Sequence, residues 1–207
     1  TGETPESAVL SYIEPFASSA CEMVAEILQY VSDSLKIKPV EADAMYAGVM
    51  IDTNNFLTKT GVRTFEAAAF LRRNGADVTR IRKMFRTEPK EYMVKAQAIS
   101  STEVYKEYYA FASLDPEGIA SPTVLSAQVA NDLMSIAGLK ASFVLTEFNG
   151  KVYISARSID EYNVQVVMER LGGGGHMSVA GAQLTDCTIP DAIEQIKAVI
   201  DEIDAVQ

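Results

Sequence analysis

The hydrophobic period of the chain changes once, near residue 100, and that change limits the folds open to it. Before it, apolar residues recur at helical spacing. Met23, Val24, Ile27, Leu28 and Val31 share one face behind Ser19 and Glu22, a capping-box pair. That helix must end before Pro39, because the dipeptide Lys38-Pro39 opens the next element in an extended conformation. Ala44, Ala47, Gly48 and Ile51 put small residues on one side of a helix over 40–51, which allows close packing and delivers Asp52 to a helix end. Thr64 is expected to cap a helix running to about Arg73 and closed by Gly75. Asp77 is expected to cap another with Ile81, Met84 and Phe85 on one face, and a last helix starts near Pro89 with Tyr92, Met93, Ala96 and Ile99.

After residue 100 the pattern mixes strand and helix. Tyr109, Phe111 and Ser113 alternate with Ala110, Ala112 and Leu114 as a strand does. Ser121 and Pro122 open a helix whose stripe is Leu125, Val129, Leu133 and Ile136, ended by Gly138. Two β-rich runs, 141–148 and 151–156, meet at Asn149-Gly150, the strongest short hairpin signal, and Arg157 stands at the end of the second. A helix over 163–171, the run GGGGH, a strand near 183–189 and a helix from Pro190 complete the chain. The fold class read from this is α/β: a mainly helical lobe over 1–88, a linker helix over 89–102 and a mixed-sheet α/β lobe over 103–207.

Composition narrows the function. The 207 residues are 48% hydrophobic, enough for a substantial core, and carry a net charge of −10, which disfavours a long nucleic acid as partner. No run approaches the roughly 18 apolar residues of a membrane span, and TGETPES has neither the basic start nor the apolar run of a signal peptide. The expectation is a cytoplasmic piece without a membrane segment. Cys21 and Cys187 have no Cys or His at ligand spacing and read as thiols in a reducing compartment. His176 is the single histidine, so a multi-histidine metal site cannot be built from these residues alone.

Gly172 to Gly175 exceed what a helix cap needs, since each extra glycine costs about 0.5–1 kcal/mol of backbone entropy relative to alanine. Such a run lets backbone N–H groups approach a phosphate. His176 after it and Arg157 at a strand end add a donor and a planar cationic fork. The alternative is a solvent-facing loop with an ordinarily ion-paired arginine. Asp52 follows the apolar stretch Gly48-Val49-Met50-Ile51 and either meets a hard cation such as Mn²⁺ or starts an Asx turn. Arg72, Arg73, Arg80, Arg82, Lys83 and Arg86 form a basic run, read as a solvated face.

Three segments carry a resemblance: YIEPFASSACEMVAEILQY from Tyr12, AGVMIDTNNFLTKTGVRTFEAAAFLRRNGAD from Ala47, and ISARSIDEYNVQVVMERLGGGGHMSVAGAQL from Ile154. Together they resemble the GdpP-type cyclic-di-AMP phosphodiesterases of the DHH/DHHA1 family, over nearly the whole chain. The first hundred residues resemble the second half of the DHH catalytic domain, and the GGGGH, ISARS and NVQVVME strings resemble the DHHA1 substrate domain.

The resemblance implies Mn²⁺-dependent hydrolysis of cyclic-di-AMP to linear pApA, in bacterial signalling, at a two-metal centre. It implies Asp52 as a metal ligand, and Arg157, Gly173, Gly174, Gly175 and His176 as contacts to a cyclic or linear dinucleotide. It further implies a homodimer, which apolar small-residue surfaces also favour, and a whole protein anchored at the membrane with this part on the cytoplasmic side. The family's Asp-His-His triplet and earlier ligand motifs are not in this sequence, which is expected to begin just after them. The whole protein is therefore expected to be an enzyme and this piece alone to be inactive. Two alternatives stay open: an oligoribonuclease or single-strand exonuclease of the same superfamily, and a nucleotide-binding or dimerising module without chemistry.

Overall fold

The protein is described from a computed structural model covering residues 7–31, 36–159 and 162–205. The start of the TGETPES segment and Asp160-Glu161 of the third resembling segment lie outside the described residues. The chain divides into two compact units, Thr1–Arg86 and Thr87–Gln207. It is a mixed α/β protein: among the described residues the first unit is helical, and helices with one mixed sheet form the second.

In the first unit, α1 (Ala20–Val31), α2 (Pro39–Asp52), α3 (Val62–Arg73) and α4 (Val78–Met84) meet around Ala25, Ala42, Ala67, Leu71 and Ala76. The small side chains let helix axes approach closely. Gly48 is the extreme case, where an added Cβ would fall 2.5 Å from Cys21 Sγ on α1. Ser19 caps α1 by accepting from the Glu22 N–H at 3.1 Å. The buried Glu22 carboxylate turns to the Ser18 hydroxyl, so only half of the capping box forms. Thr64 does not precede its helix as the sequence reading had it. Gly61 is the N-cap of α3 and donates its N–H to Thr64 Oγ1 from the first turn, at 3.1 Å.

The second unit begins with α5 (Pro89–Ser100), whose buried side is Ala98 with Val94 and Ile99. Tyr92, Met93 and Ala96 stand exposed, so the stripe is rotated from the expected one. β1 (Glu103–Tyr105) pairs antiparallel with β2 (Tyr109–Leu114). α6 (Pro122–Leu133) then crosses to β3 (Ala141–Phe148), which lies parallel to β2. β4 (Lys151–Ser158) returns through Asn149 and Gly150, both at positive φ (51° and 71°), as a type I′ turn requires. After α7 (Val164–Arg170), β5 (Gly174–His176) and β6 (Val179–Thr185) complete the sheet, whose spatial order is β1-β2-β3-β4-β6-β5. α8 (Ile189–Asp204) ends the unit.

The two-residue period sorts the side chains. Tyr109, Phe111, Phe143, Ile154, Ala156, Ala180 and Ala182 pack on one face with α7 and α8. Ala110, Ala112, Leu114 and Val144 pack on the other with α5 and α6. Three layers result, and each large side chain such as Phe143 contributes about 1.5–3 kcal/mol by leaving water. No described helix is long and apolar enough to cross a membrane.

Candidate functional site

Strand register on the α6 face of the second unit brings the candidate phosphate contacts together. Arg157 of β4 lies opposite Val179 of β6, and Val179 lies opposite His176 of β5. Directly paired residues point to one face, so the Arg157 and His176 side chains leave the sheet on the same side, two strand spacings or about 10 Å apart. The neighbouring row is Ser155, Gly181 and Gly174. A groove of about 410 Å³ lies beside it, lined by Thr123 of α6 with Tyr153, Ser155, Gly173, Gly181 and Gln183.

Arg157 is held without being neutralised. Its Nε donates to Asn131 Oδ1 of α6 at 2.8 Å and its Nη1 to the Ala156 carbonyl at 2.9 Å. Among the described residues no carboxylate pairs with it, so the ordinary ion pair considered from sequence does not form. The side chain is half-buried, and desolvation pulls its pKa below the usual arginine value; the guanidinium still remains cationic at any working pH. A fixed, partly desolvated cation without a counter-charge favours an anion. His176 is exposed on the same face.

The glycine run is organised differently from the loop nest expected from sequence. Gly174, Gly175 and His176 are a strand paired with β6, and β6 begins at Val179 rather than near residue 183. Three of the four glycines have reasons in the fold. Gly172 takes φ 78° beyond the end of α7, a Cβ on Gly173 would lie 2.2 Å from the Gly181 carbonyl oxygen, and Gly175 has φ 148° with Ala180 Cα 2.5 Å from its Cβ position. Gly174 has neither constraint: its φ is not in the left-handed region, and an added Cβ would meet nothing within 4 Å. Its face is the groove face. Asn131, Ser155 and Gln183 were not singled out from sequence. Only Ser155 carried a signal, its two-residue spacing from Arg157 in a β-rich run.

Asp52 belongs to the first unit. It is the last residue of α2 and exposed, and among the described residues its carboxylate has no hydrogen bond or ion pair, so the Asx turn does not form. A negative charge at a helix C-terminus adds to the negative end of the dipole, a placement that a bound cation would reverse. The nearby Cys21 thiol is pushed up in pKa by burial and then by the Asp52 charge.

The chain then turns through Asn54, Asn55 and Phe56, all at positive φ (47°, 59° and 65°). Left-handed backbone costs about 1–2 kcal/mol per non-glycine residue, less for asparagine, and persists only where the surroundings hold it. Thr53 is fully buried: its hydroxyl donates to the Val49 carbonyl at 2.7 Å and accepts from the Phe56 N–H at 3.0 Å. The Phe56 ring sits between Tyr46 and Phe65, with centroids 5.7 and 5.8 Å away. Among the described residues no three His, Cys, Asp or Glu side chains gather as a ligand set. Asp52 thus fits one ligand position for a hard cation, and the residues around it do not complete a site. In the basic run, Arg80 binds Asp43 and the Gly75 carbonyl and Arg72 binds the Ala76 carbonyl, while Arg73, Arg82, Lys83 and Arg86 are exposed.

Residues 108–205 match the DHHA1 domain model. The chain is 42% identical over 94% of its length to the cyclic-di-AMP phosphodiesterase GdpP of Geobacillus thermodenitrificans, and 41% identical over 94% to the cyclic-di-AMP phosphodiesterase PdeA of Listeria monocytogenes. It spans about 30% of the length of each. Its fold is shared with an exopolyphosphatase-related protein from Bacteroides fragilis, at a TM-score of 0.81 and 23% identity, covering 93% of this chain and 58% of that one. By sequence, the chain belongs to the DHH/DHHA1 family, among its GdpP-type members.

Proposed function

We propose that the protein is a metal-dependent phosphodiesterase that hydrolyses cyclic-di-AMP to linear pApA, with this chain supplying the substrate grip and one metal ligand. The observation that carries the reading is Arg157, anchored by the neutral Asn131, free of any carboxylate among the described residues, and in one row with His176 beside an open groove. In-line attack on a phosphodiester needs charge stabilisation and an activated water, which a pair of Mn²⁺ ions would supply when bound. Asp52 would be one ligand of that pair. The side chains of this chain would grip: Arg157 as a fork on a phosphate oxygen pair, His176 as a second donor, and Gly173, Gly174 and Gly175 as the backbone beside which the nucleotide lies. A homodimer of the whole protein is part of the same proposal.

The test is Mn²⁺-dependent hydrolysis of cyclic-di-AMP by the 207-residue chain beside a version extended upstream through the family's Asp-His-His motif. Turnover by the extended protein alone supports the assignment. Hydrolysis by the 207 residues alone would overturn the placement of the metal ligands. Calorimetry with pApA on the short chain reads the grip separately, and an Arg157→Met variant is expected to abolish the heat.

A further inference from the structure

The turn after Asp52 is built at some cost, and its wiring indicates what it does. The Val49, Met50 and Ile51 carbonyls, which the last turn of α2 would leave open, are each taken by a donor from residues 53–55. Val49 receives Thr53 N–H and Oγ1–H, Met50 receives Asn55 N–H at 2.7 Å, and Ile51 receives Asn54 N–H at 3.2 Å. The Thr53 carbonyl in turn receives Leu57 and Thr58 N–H, each at 3.0 Å. Among the described residues the Asp52 carboxylate is left without a hydrogen bond or ion pair. Thr53 sits at the centre, fully buried, with its hydroxyl both donating and accepting.

We infer that Thr53 is a positioning residue for the metal: its hydroxyl locks the left-handed turn through residues 54–56, and that turn keeps the Asp52 carboxylate exposed, uncapped and fixed in direction. The inference rests on the reading of Asp52 as a metal ligand. A different turn would let Asn54 or Asn55 N–H groups reach the carboxylate as an Asx turn does, competing with the cation. Groups that orient a ligand without touching the metal typically govern 10- to 100-fold in affinity.

The experiment uses the upstream-extended protein and reads Mn²⁺ binding directly, from the electron paramagnetic resonance signal of free Mn²⁺, alongside KM and kcat for cyclic-di-AMP. Thr53→Val removes the hydroxyl at nearly constant volume and is expected to weaken Mn²⁺ binding about tenfold or more with KM for the dinucleotide unchanged. Thr53→Ser keeps the hydroxyl and is expected to bind as the parent does. Should Thr53→Val not fold, Thr53→Ala, which also lacks the hydroxyl without adding a methyl, replaces it. Unchanged Mn²⁺ affinity in Thr53→Val while Asp52→Asn loses it overturns the inference alone. Unchanged affinity in both overturns the metal role of Asp52, and the inference with it. A Thr53→Ser variant as impaired as Thr53→Val would assign the effect to methyl packing and also overturn it.

Discussion

Gly174 differs from Gly173 and Gly175 in what its missing side chain does. A Cβ on Gly173 would strike the β6 backbone, whereas one on Gly174 would project into open space on the face that carries Arg157 and His176. The two substitutions should therefore separate folding from binding. Gly173→Ala is expected to destabilise the second unit by about 1–3 kcal/mol, since β5 must shift from β6 to admit the methyl. Gly174→Ala should leave the urea midpoint within error of the parent and weaken pApA binding about tenfold in calorimetry, roughly 1.4 kcal/mol. If Gly174→Ala binds pApA like the parent, the ligand does not lie along β5. On the proposed function, the fold accounts for three of the four glycines and the grip for Gly174.

Between elements, the first unit is tied by Asp43. Its carboxylate, on the buried side of α2, accepts from Arg80 Nε at 2.7 Å and from the Asp77 N–H at 2.7 Å, joining α2 to the start of α4. The Arg80 guanidinium, then the Asp77 amide, hold the Asp43 carboxyl below the usual carboxylate range, and Asp77 itself is lowered by the Thr79 and Arg80 amides that it caps. A depressed folded-state pKa stabilises above the unfolded value, about 3.9, and that stabilisation is lost as pH falls through the folded value. Asp43→Ala should thus lower the urea midpoint at pH 7. The gap to the parent should hold down to about pH 4 and close below it. A gap that stays constant to pH 2 would assign the effect to packing instead of charge.

Elements defined by local chemistry were legible in the sequence: the Asn149-Gly150 hairpin, the Asp77 cap, the Gly75 stop, and Asp52 at a helix end. Those defined by distant partners were not. β5 has three residues, two of them glycine, so no side-chain alternation announces it, and it exists only through pairing with β6. The stripe of α5 was misplaced because Tyr92 and Met93 are large and apolar yet exposed, while the small Ala98 is the contact with β2 and α6. The site shows the same division. Arg157 and His176 could be named from their types, but Asn131 acts across 26 residues of sequence, and the order β4-β6-β5 that puts the pair in one row is a long-range fact.

At the scale of the whole molecule, net charge limits which nucleotide the proposed grip would take. A chain with net charge −10 repels a long polyanion, so local cations must supply all of the attraction, and this face offers Arg157 with His176 rather than a track. Binding of pApA to the 207-residue chain should therefore lose affinity with salt only weakly, with a slope of log K on log salt near −1 to −2, as one or two phosphate contacts give. Extending the ligand from two to eight nucleotides should add little affinity and leave that slope unchanged, because the net charge of −10 gives further phosphates no general attraction. If affinity instead climbs with length and the slope steepens in proportion, the groove continues into a strand-binding path. The protein would then belong with the oligoribonucleases and single-strand exonucleases in its choice of substrate.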